Sequence, residues 1–167
     1  FGRLQLKFRG LPRISPRDRG WFVESIQRQR DTYLEPKSGY IPGRDECFHL
    51  RQSEGCSDAL FIYKQSGHES SLRLQVPPIP ISSPASMVDI METFSVLCTI
   101  VKQRTTYIRD GFMLAVDHVD DLGTFTEIKA PAGIDTAVLL AHAQELGFTV
   151  DDGVPYSYLH LTQQKTR

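Results

Sequence analysis

The sequence predicts an α+β fold in which mostly antiparallel strands close into a barrel with helices packed outside. Three observations predict it. Six or seven segments alternate polar and apolar residues with period two, as half-buried strands do. Only three segments carry helix signals, and they are spread among the strands. The polar sides of the strands are basic, with one or two Lys or Arg on each and few acids. Same-sign charges on neighbouring strands repel one another, and they are easier to place on a face that encloses an anion. A solvated sheet face carrying scattered Lys and Arg fits the alternation equally well.

The first strand runs to Phe8, with Leu4, Leu6 and Phe8 on one side and Arg3, Gln5 and Lys7 on the other. Ser15-Pro16-Arg17-Asp18 then reads as a helix start, Ser at the N-cap and Pro at the first helical position. Trp21, Phe22 and Ile26 suggest that this helix continues to about Gln29, weakened by Gly20. Phe48-His49-Leu50-Arg51 pairs His49 with Arg51 on one face, and Leu60 to Lys64 pairs Ile62 with Lys64. Ser71 to Val76 pairs Arg73 with Gln75. Val76 to Pro84, with four prolines, predicts an extended connector that is not a strand. A second helix is expected over Ser86–Leu97, where Val88, Met91, Phe94 and Leu97 recur at three-residue steps. Thr99 to Thr106 pairs Lys102 with Arg104, Phe112 to Asp117 sets Asp117 opposite Phe112, Leu114 and Val116, and Phe125 to Lys129 pairs Glu127 with Lys129. The third helix has the fullest signature: Asp135 as cap, an apolar stripe of Val138, Leu139, Ala143 and Leu146, and Gly147 as stop.

Length and composition set bounds on function. The 167 residues suit one domain with a real core. A formal net charge of −1 gives no bulk attraction for nucleic acid or acidic membranes, so any polyphosphate binding must come from local charge placement. No aromatic RNA-binding strand motif is present, and no apolar run has the length of a membrane span. The three cysteines, Cys47, Cys56 and Cys98, show no paired spacing. They predict buried free thiols in a reducing cytoplasm rather than a disulfide framework or a zinc site. His142 lies beside the apolar stripe of the third helix and is expected to pack, as are Tyr33, Tyr107 and Tyr158.

Several motifs, in order, resemble the CYTH family of class IV adenylate cyclases, thiamine triphosphatases and inorganic triphosphatases. They are Gln29-Arg30-Asp31-Thr32-Tyr33, Phe48-His49-Leu50-Arg51, Phe61-Ile62-Tyr63-Lys64 and Val101 to Tyr107. The most specific is Asp117-His118-Val119-Asp120-Asp121-Leu122-Gly123-Thr124-Phe125-Thr126-Glu127-Ile128, and Tyr156-Ser157-Tyr158-Leu159 ends the set. The resemblance spans nearly the whole chain, with a slight lean to the cyclase-like branch. It implies one triphosphate-tunnel domain over residues 1–167, an antiparallel barrel of about eight strands that takes a nucleoside or inorganic triphosphate in its lumen. It further implies that Lys7, Arg51, Lys64, Arg73, Lys102 and Arg104 hold phosphate oxygens, and that Asp117 and Glu127 belong to a site for Mg²⁺ or Mn²⁺; a salt bridge of Asp117 to a neighbouring lumen arginine, and of Glu127 to Lys129, fits equally well. A metal so held would orient water for hydrolysis or a ribose hydroxyl for cyclisation.

The sequence departs from the family pattern where the acids should be. The first-strand signature Glu-x-Glu-x-Lys stands as Arg3-x-Gln5-x-Lys7, and a later Glu-x-Glu stands as Glu127-x-Lys129. Gln75 replaces a common glutamate, and His49 precedes Arg51 where an arginine is usual. Each loss of acid weakens a hard-cation site and leaves anion binding intact. Three readings therefore follow: a metal-dependent enzyme on small triphosphates, a tunnel that binds phosphate chains after losing much of its metal site, and a closed barrel whose lumen charges satisfy one another and which serves as an interaction module. For His49 the functional reading is phosphate donor or acid/base near neutral pH, but a lone strand histidine is more often structural.

Overall fold

The computed structural model describes residues 3–39, 46–66, 72–75 and 77–165, with the backbone alone for residues 3, 46, 65, 66 and 72–75. Nine strands are present among them: β1 (Arg3–Arg9), β2 (Phe22–Pro36), β3 (Glu46–Ser53), β4 (Ala59–Ser66), β5 (Leu72–Gln75), β6 (Ile79–Ile81), β7 (Phe94–Arg109), β8 (Phe112–Val119) and β9 (Gly123–Lys129). All pairings are antiparallel, in the order β3-β2-β7-β8-β9-β1-β5-β4. Strand β3 also pairs with β4, from Glu46 opposite Gln65 to Arg51 opposite Leu60. The circuit therefore returns to its start and eight strands surround a lumen, as the alternation predicts. Helices α1 (Pro84–Thr93), α2 (Thr136–Glu145) and α3 (Tyr158–Lys165) complete the fold. No helix among the described residues is long and apolar enough to cross a membrane.

Period-two alternation explains how the two faces divide. Leu6 and Phe8 of β1, Leu114 and Val116 of β8 and Ile128 of β9 turn outward and pack with Leu139, Ala143 and Leu146 of α2. Asp135 caps that helix, its side chain accepting a hydrogen bond from the Val138 amide at 3.1 Å. Gly147 ends it at a φ of 88°, where an added Cβ would lie 2.8 Å from the Cβ of Arg13. Gly147→Ala should therefore combine left-handed strain with a backbone-anchored clash. A loss of roughly 2–4 kcal/mol in urea unfolding is expected, and a change under 1 kcal/mol would show that the Arg13 segment yields freely.

Three expected elements differ from those observed. The helix expected from Ser15 to Gln29 is a single 3-10 turn over Pro16–Arg19, closed by Gly20 in the left-handed conformation. Strand β2 follows, and Phe22 and Ile26, read as a helical stripe, are 71% and 63% exposed. Fourteen paired residues of ladder with β7 outweigh an i, i+4 spacing of two side chains. The helix expected at Ser86–Leu97 starts at Pro84 and stops at Thr93, because Phe94 to Val96 pair with Pro36 to Leu34. The proline-rich connector contains β6, which pairs with Ala59–Phe61 of β4. Pro80 is tolerated there because β6 is an edge strand. The cysteines are free as expected, yet only Cys47 is buried; Cys98 is half-buried and Cys56 is exposed.

A second apolar cluster lies inside the barrel toward one end. Tyr33, Ile100, Val119, Phe125 and Tyr158 form it, with Val154 from the segment that leads into α3. Tyr33 and Tyr158 are thus packing residues, and Tyr107 packs against the outer core. His142 also packs, its ring centroid 4.2 Å from that of Phe112.

Candidate functional site

The inner face of the barrel is where the buried charge collects. Lys7, Gln5, Gln29, Asp31, His49, Arg51, Lys64, Lys102, Arg104, Asp117 and Glu127 are all buried. Contacts between strands that are not neighbours show that these side chains meet across the lumen. Arg104 of β7 reaches Glu127 of β9 at 3.2 Å, and Lys64 of β4 lies 4.0 Å from the same carboxylate. Of the six expected phosphate-binding residues, Lys7, Arg51, Lys64, Lys102 and Arg104 converge here. Arg73 sits opposite Gln5 in the β1–β5 ladder; its side chain, like that of Arg3, lies outside what the structure describes.

Three carboxylates organise the cations. Asp31 takes a bidentate pair from Arg51, Nε to Oδ1 at 2.9 Å and Nη2 to Oδ2 at 3.0 Å, and Lys102 Nζ donates to Oδ2 at 2.8 Å. Burial pushes this carboxyl upward, but Arg51 and Lys102 outweigh it and hold Asp31 well below the usual carboxylate range. Asp117 takes the matching fork from Arg104, both bonds at 2.7 Å, and the Tyr158 hydroxyl donates to its Oδ2 at 2.7 Å. Glu127 lies between Arg104, Lys64 and Lys7, whose Nζ is 3.4 Å from Oε1. Lys7 also donates to the Tyr156 carbonyl at 3.2 Å and sits 3.6 Å over the Tyr158 ring. The segment ahead of α3 is thereby tied into the lumen.

Among the described residues five buried cations thus share three buried carboxylates, and the surplus shows in their protonation. Burial, then Arg104 and Arg51, pull Lys102 down to about 8 despite Asp31 and Asp117. Burial and the neighbouring Lys64 and Arg104 also lower half-buried Lys129 well below an ordinary lysine. Burial drives His49 well below its usual range, with Arg51, Lys64 and Lys102 adding to it against Asp31. The His49 ring is therefore neutral, which corrects its reading as an acid/base poised near neutral pH. Its Nε2 is 3.5 Å from Arg51 Nη2, and its Nδ1 has no hydrogen-bond partner among the described residues.

A divalent cation does not fit this arrangement. Asp117 and Glu127, the expected metal ligands, already take Arg104, Tyr158, Lys7 and Lys64 on their oxygens. Lys129 stands beside them where the family signature has an acid, and it acts electrostatically on Glu127. No group of three His, Cys, Asp or Glu among the described residues is disposed to hold a metal. Hard cations need several oxygen ligands free of competing cations, so no step is derived through a metal.

One inward charge escapes the sequence reading. Asp31 lies just past the segment expected as helix to about Gln29, and the Gln29–Tyr33 motif assigns it no role; the alternation of Gln29, Asp31 and Tyr33 against Arg30 and Thr32 is the signal that finds it. Gln5, expected only as a missing acid, is fully buried, and neither amide atom has a hydrogen-bond partner among the described residues.

Comparison with known proteins agrees with this architecture. The PH1819 protein of Pyrococcus horikoshii OT3 superposes with a TM-score of 0.79 at 22% identity, over 98% of this chain and 99% of that one. A candidate adenylate cyclase of Vibrio parahaemolyticus gives 0.73 at 18% identity, over 97% and 98%. HpAC1 of Hippeastrum, a candidate adenylyl cyclase with a dominant triphosphatase activity, gives 0.67 at 14% identity, over 98% and 96%. At these identities the likeness is one of fold. A comparison with curated protein sequences gives no match. The sequence model of the CYTH domain, however, matches residues 6–158, from the middle of β1 to the tyrosine that plugs the lumen. With the closed antiparallel ring and its basic interior, that match establishes that the chain belongs to the CYTH family.

Proposed function

We propose that the lumen binds a small polyanion of the triphosphate class through Lys7, Arg51, Lys64, Lys102 and Arg104, with Arg73 as a sixth contact, and that it does so without a divalent metal. The observation that carries this reading is the excess, among the described residues, of five buried cations over three buried carboxylates on one inner face. Burying charge without full compensation is costly, and an anion relieves that cost for every cation it touches. The bidentate forks of Arg51 and Arg104 also match the geometry of phosphate oxygens. Turnover is not part of the proposal, because the acids that would hold a catalytic cation are engaged by Lys and Arg.

Calorimetric titration with tripolyphosphate, in EDTA and then in Mg²⁺, tests it. Equal affinity in the two media is expected, and binding that requires Mg²⁺ would overturn it. Lys64→Met is the informative variant, since Glu127 keeps Lys7 and Arg104 as partners when Lys64 is lost. It should fold and lose on the order of 10-fold in affinity, corresponding to one charge-assisted contact. Lys102 makes the binding pH-dependent. It is protonated below about 8 and neutral above, and only the protonated form attracts phosphate. Affinity should therefore hold below pH 8 and fall as the pH rises through it, and Lys102→Met should remove the step. Near pH 8 the bound anion favours the ammonium form, so binding should take up a proton and its heat should vary with the buffer's ionisation enthalpy.

The metal-dependent reading is tested by restoring acids. Arg3→Glu, Gln5→Glu and Lys129→Glu together should confer Mn²⁺ binding. Phosphate release or cyclic AMP formation from ATP by the unaltered protein in Mn²⁺ would establish that reading instead.

A further inference from the structure

A cavity of about 480 Å³ opens at the rim of the barrel, beside the hairpin that joins β7 to β8. Its wall includes Phe22, Ile108, Met113 and Lys129, and the ladder places these four in one line across the sheet. Phe22 is opposite Ile108, Ile108 opposite Met113, Met113 opposite Lys129, and Lys129 opposite Gln5. Directly paired residues share a face. Ile108 follows Lys102, Arg104 and Thr106 at two-residue steps, so the whole line belongs to the inner face.

Phe22 reaches that face through an irregularity. Deeper in β2 the inner residues are odd-numbered, Gln29 and Asp31. The ladder with β7 shifts between Val23 and Ser25, and this one-residue bulge turns Phe22 inward at the rim. A phenylalanine 71% exposed there, continuous with Ile108 at 41%, forms an apolar ledge. Lys129 joins the ledge to the lumen charges, since Glu127, Lys64 and Arg104 all act on it. Gln5, last in the line, adds a buried amide with no hydrogen-bond partner among the described residues.

Resting on the lumen reading above, we infer that the Phe22–Ile108–Met113 ledge binds the organic part of a phosphate ester whose phosphate chain lies in the lumen, and that it selects an uncharged planar ring. Exposed aromatic rings provide stacking surface for flat heterocycles. Arg109, Lys129 and Asp110 line the same cavity; Glu145, 3.1 Å from Arg109, offsets that guanidinium, and Lys129 on the inner wall disfavours a cationic ring. Phe22 is thus a specificity residue, distinct from the cations that hold phosphate.

Calorimetry in EDTA with three probes, tripolyphosphate, ATP and thiamine triphosphate, tests this. The unaltered protein should bind ATP more tightly than thiamine triphosphate, whose thiazolium is cationic. Phe22→Ala should weaken ATP about 5- to 20-fold, within the range for one base stacked on an aromatic side chain, and leave tripolyphosphate unchanged. Phe22→Tyr, which keeps the ring, should retain ATP affinity. Equal loss for ATP and tripolyphosphate, no loss for either, or a preference for thiamine triphosphate would overturn the inference while the lumen reading stands. Failure of the unaltered protein to bind tripolyphosphate would instead remove the lumen reading and this inference with it.

Discussion

Arg104→Ala should destabilise the protein by about 3–5 kcal/mol, the cost of breaking a buried ion pair by removing one partner. Arg104 is the hub of the inner face: both of its bonds to Asp117 are 2.7 Å, and it also reaches Glu127. Removing it leaves Asp117 with the Tyr158 hydroxyl alone among its described hydrogen-bond donors, in a place with no access to water. Urea unfolding followed by tryptophan fluorescence measures the loss, since Trp21, the only tryptophan, is buried in the outer core. Adding Asp117→Asn should recover a large part of it, because the stranded charge is then gone. A single variant that loses under 1 kcal/mol would place the pair in the class of surface ion pairs and contradict the buried network.

The second large effect has opposite signs for stability and binding. Asp31→Asn leaves Arg51 and Lys102 without their carboxylate, and a loss of about 3 kcal/mol in the ligand-free protein is expected. The same change removes a negative charge from the wall that faces the anion. At an effective dielectric near 20 and a separation of several ångströms, affinity for tripolyphosphate should rise on the order of 10- to 100-fold. Thermal unfolding with and without tripolyphosphate reads both, and the ligand-induced stabilisation should be larger in the variant than in the parent. A variant that is less stable and also binds more weakly would show that Asp31 chiefly orients Arg51 for phosphate, rather than neutralising it.

Both effects come from residues whose roles were unevenly legible. Arg104 and Asp117 could be placed on inward faces by alternation, yet nothing in either segment says that they pair. Their register, Arg104 opposite Asp117 in the β7–β8 ladder, follows from a tight hairpin around Asp110 and Gly111, both at positive φ. Asp31 stands just beyond the helix expected from Phe22 and Ile26, where no strand was expected, and only the long ladder with β7 sets its face. The bulge at Val23–Ser25 that turns Phe22 toward the rim leaves no mark in hydrophobic pattern at all.

The sequence by itself determined the faces of the strands it predicts, the cap and stop of α2, and the basic character of the inner surface, because these depend on period, on a single capping side chain and on residue type. It also determined that acids are missing from the first and ninth strands, since that is composition at known places in a motif. Only the tertiary structure decided which carboxylate each cation meets, that His49 is neutral, and that Asp117 and Glu127 are engaged by Arg104, Lys7 and Lys64 instead of standing open to a metal. Those outcomes depend on the closure of β3 onto β4, which brings side chains from distant strands within 4 Å and takes them out of water. Charge pairing and desolvation are set by that enclosure, and no local window of the chain contains it.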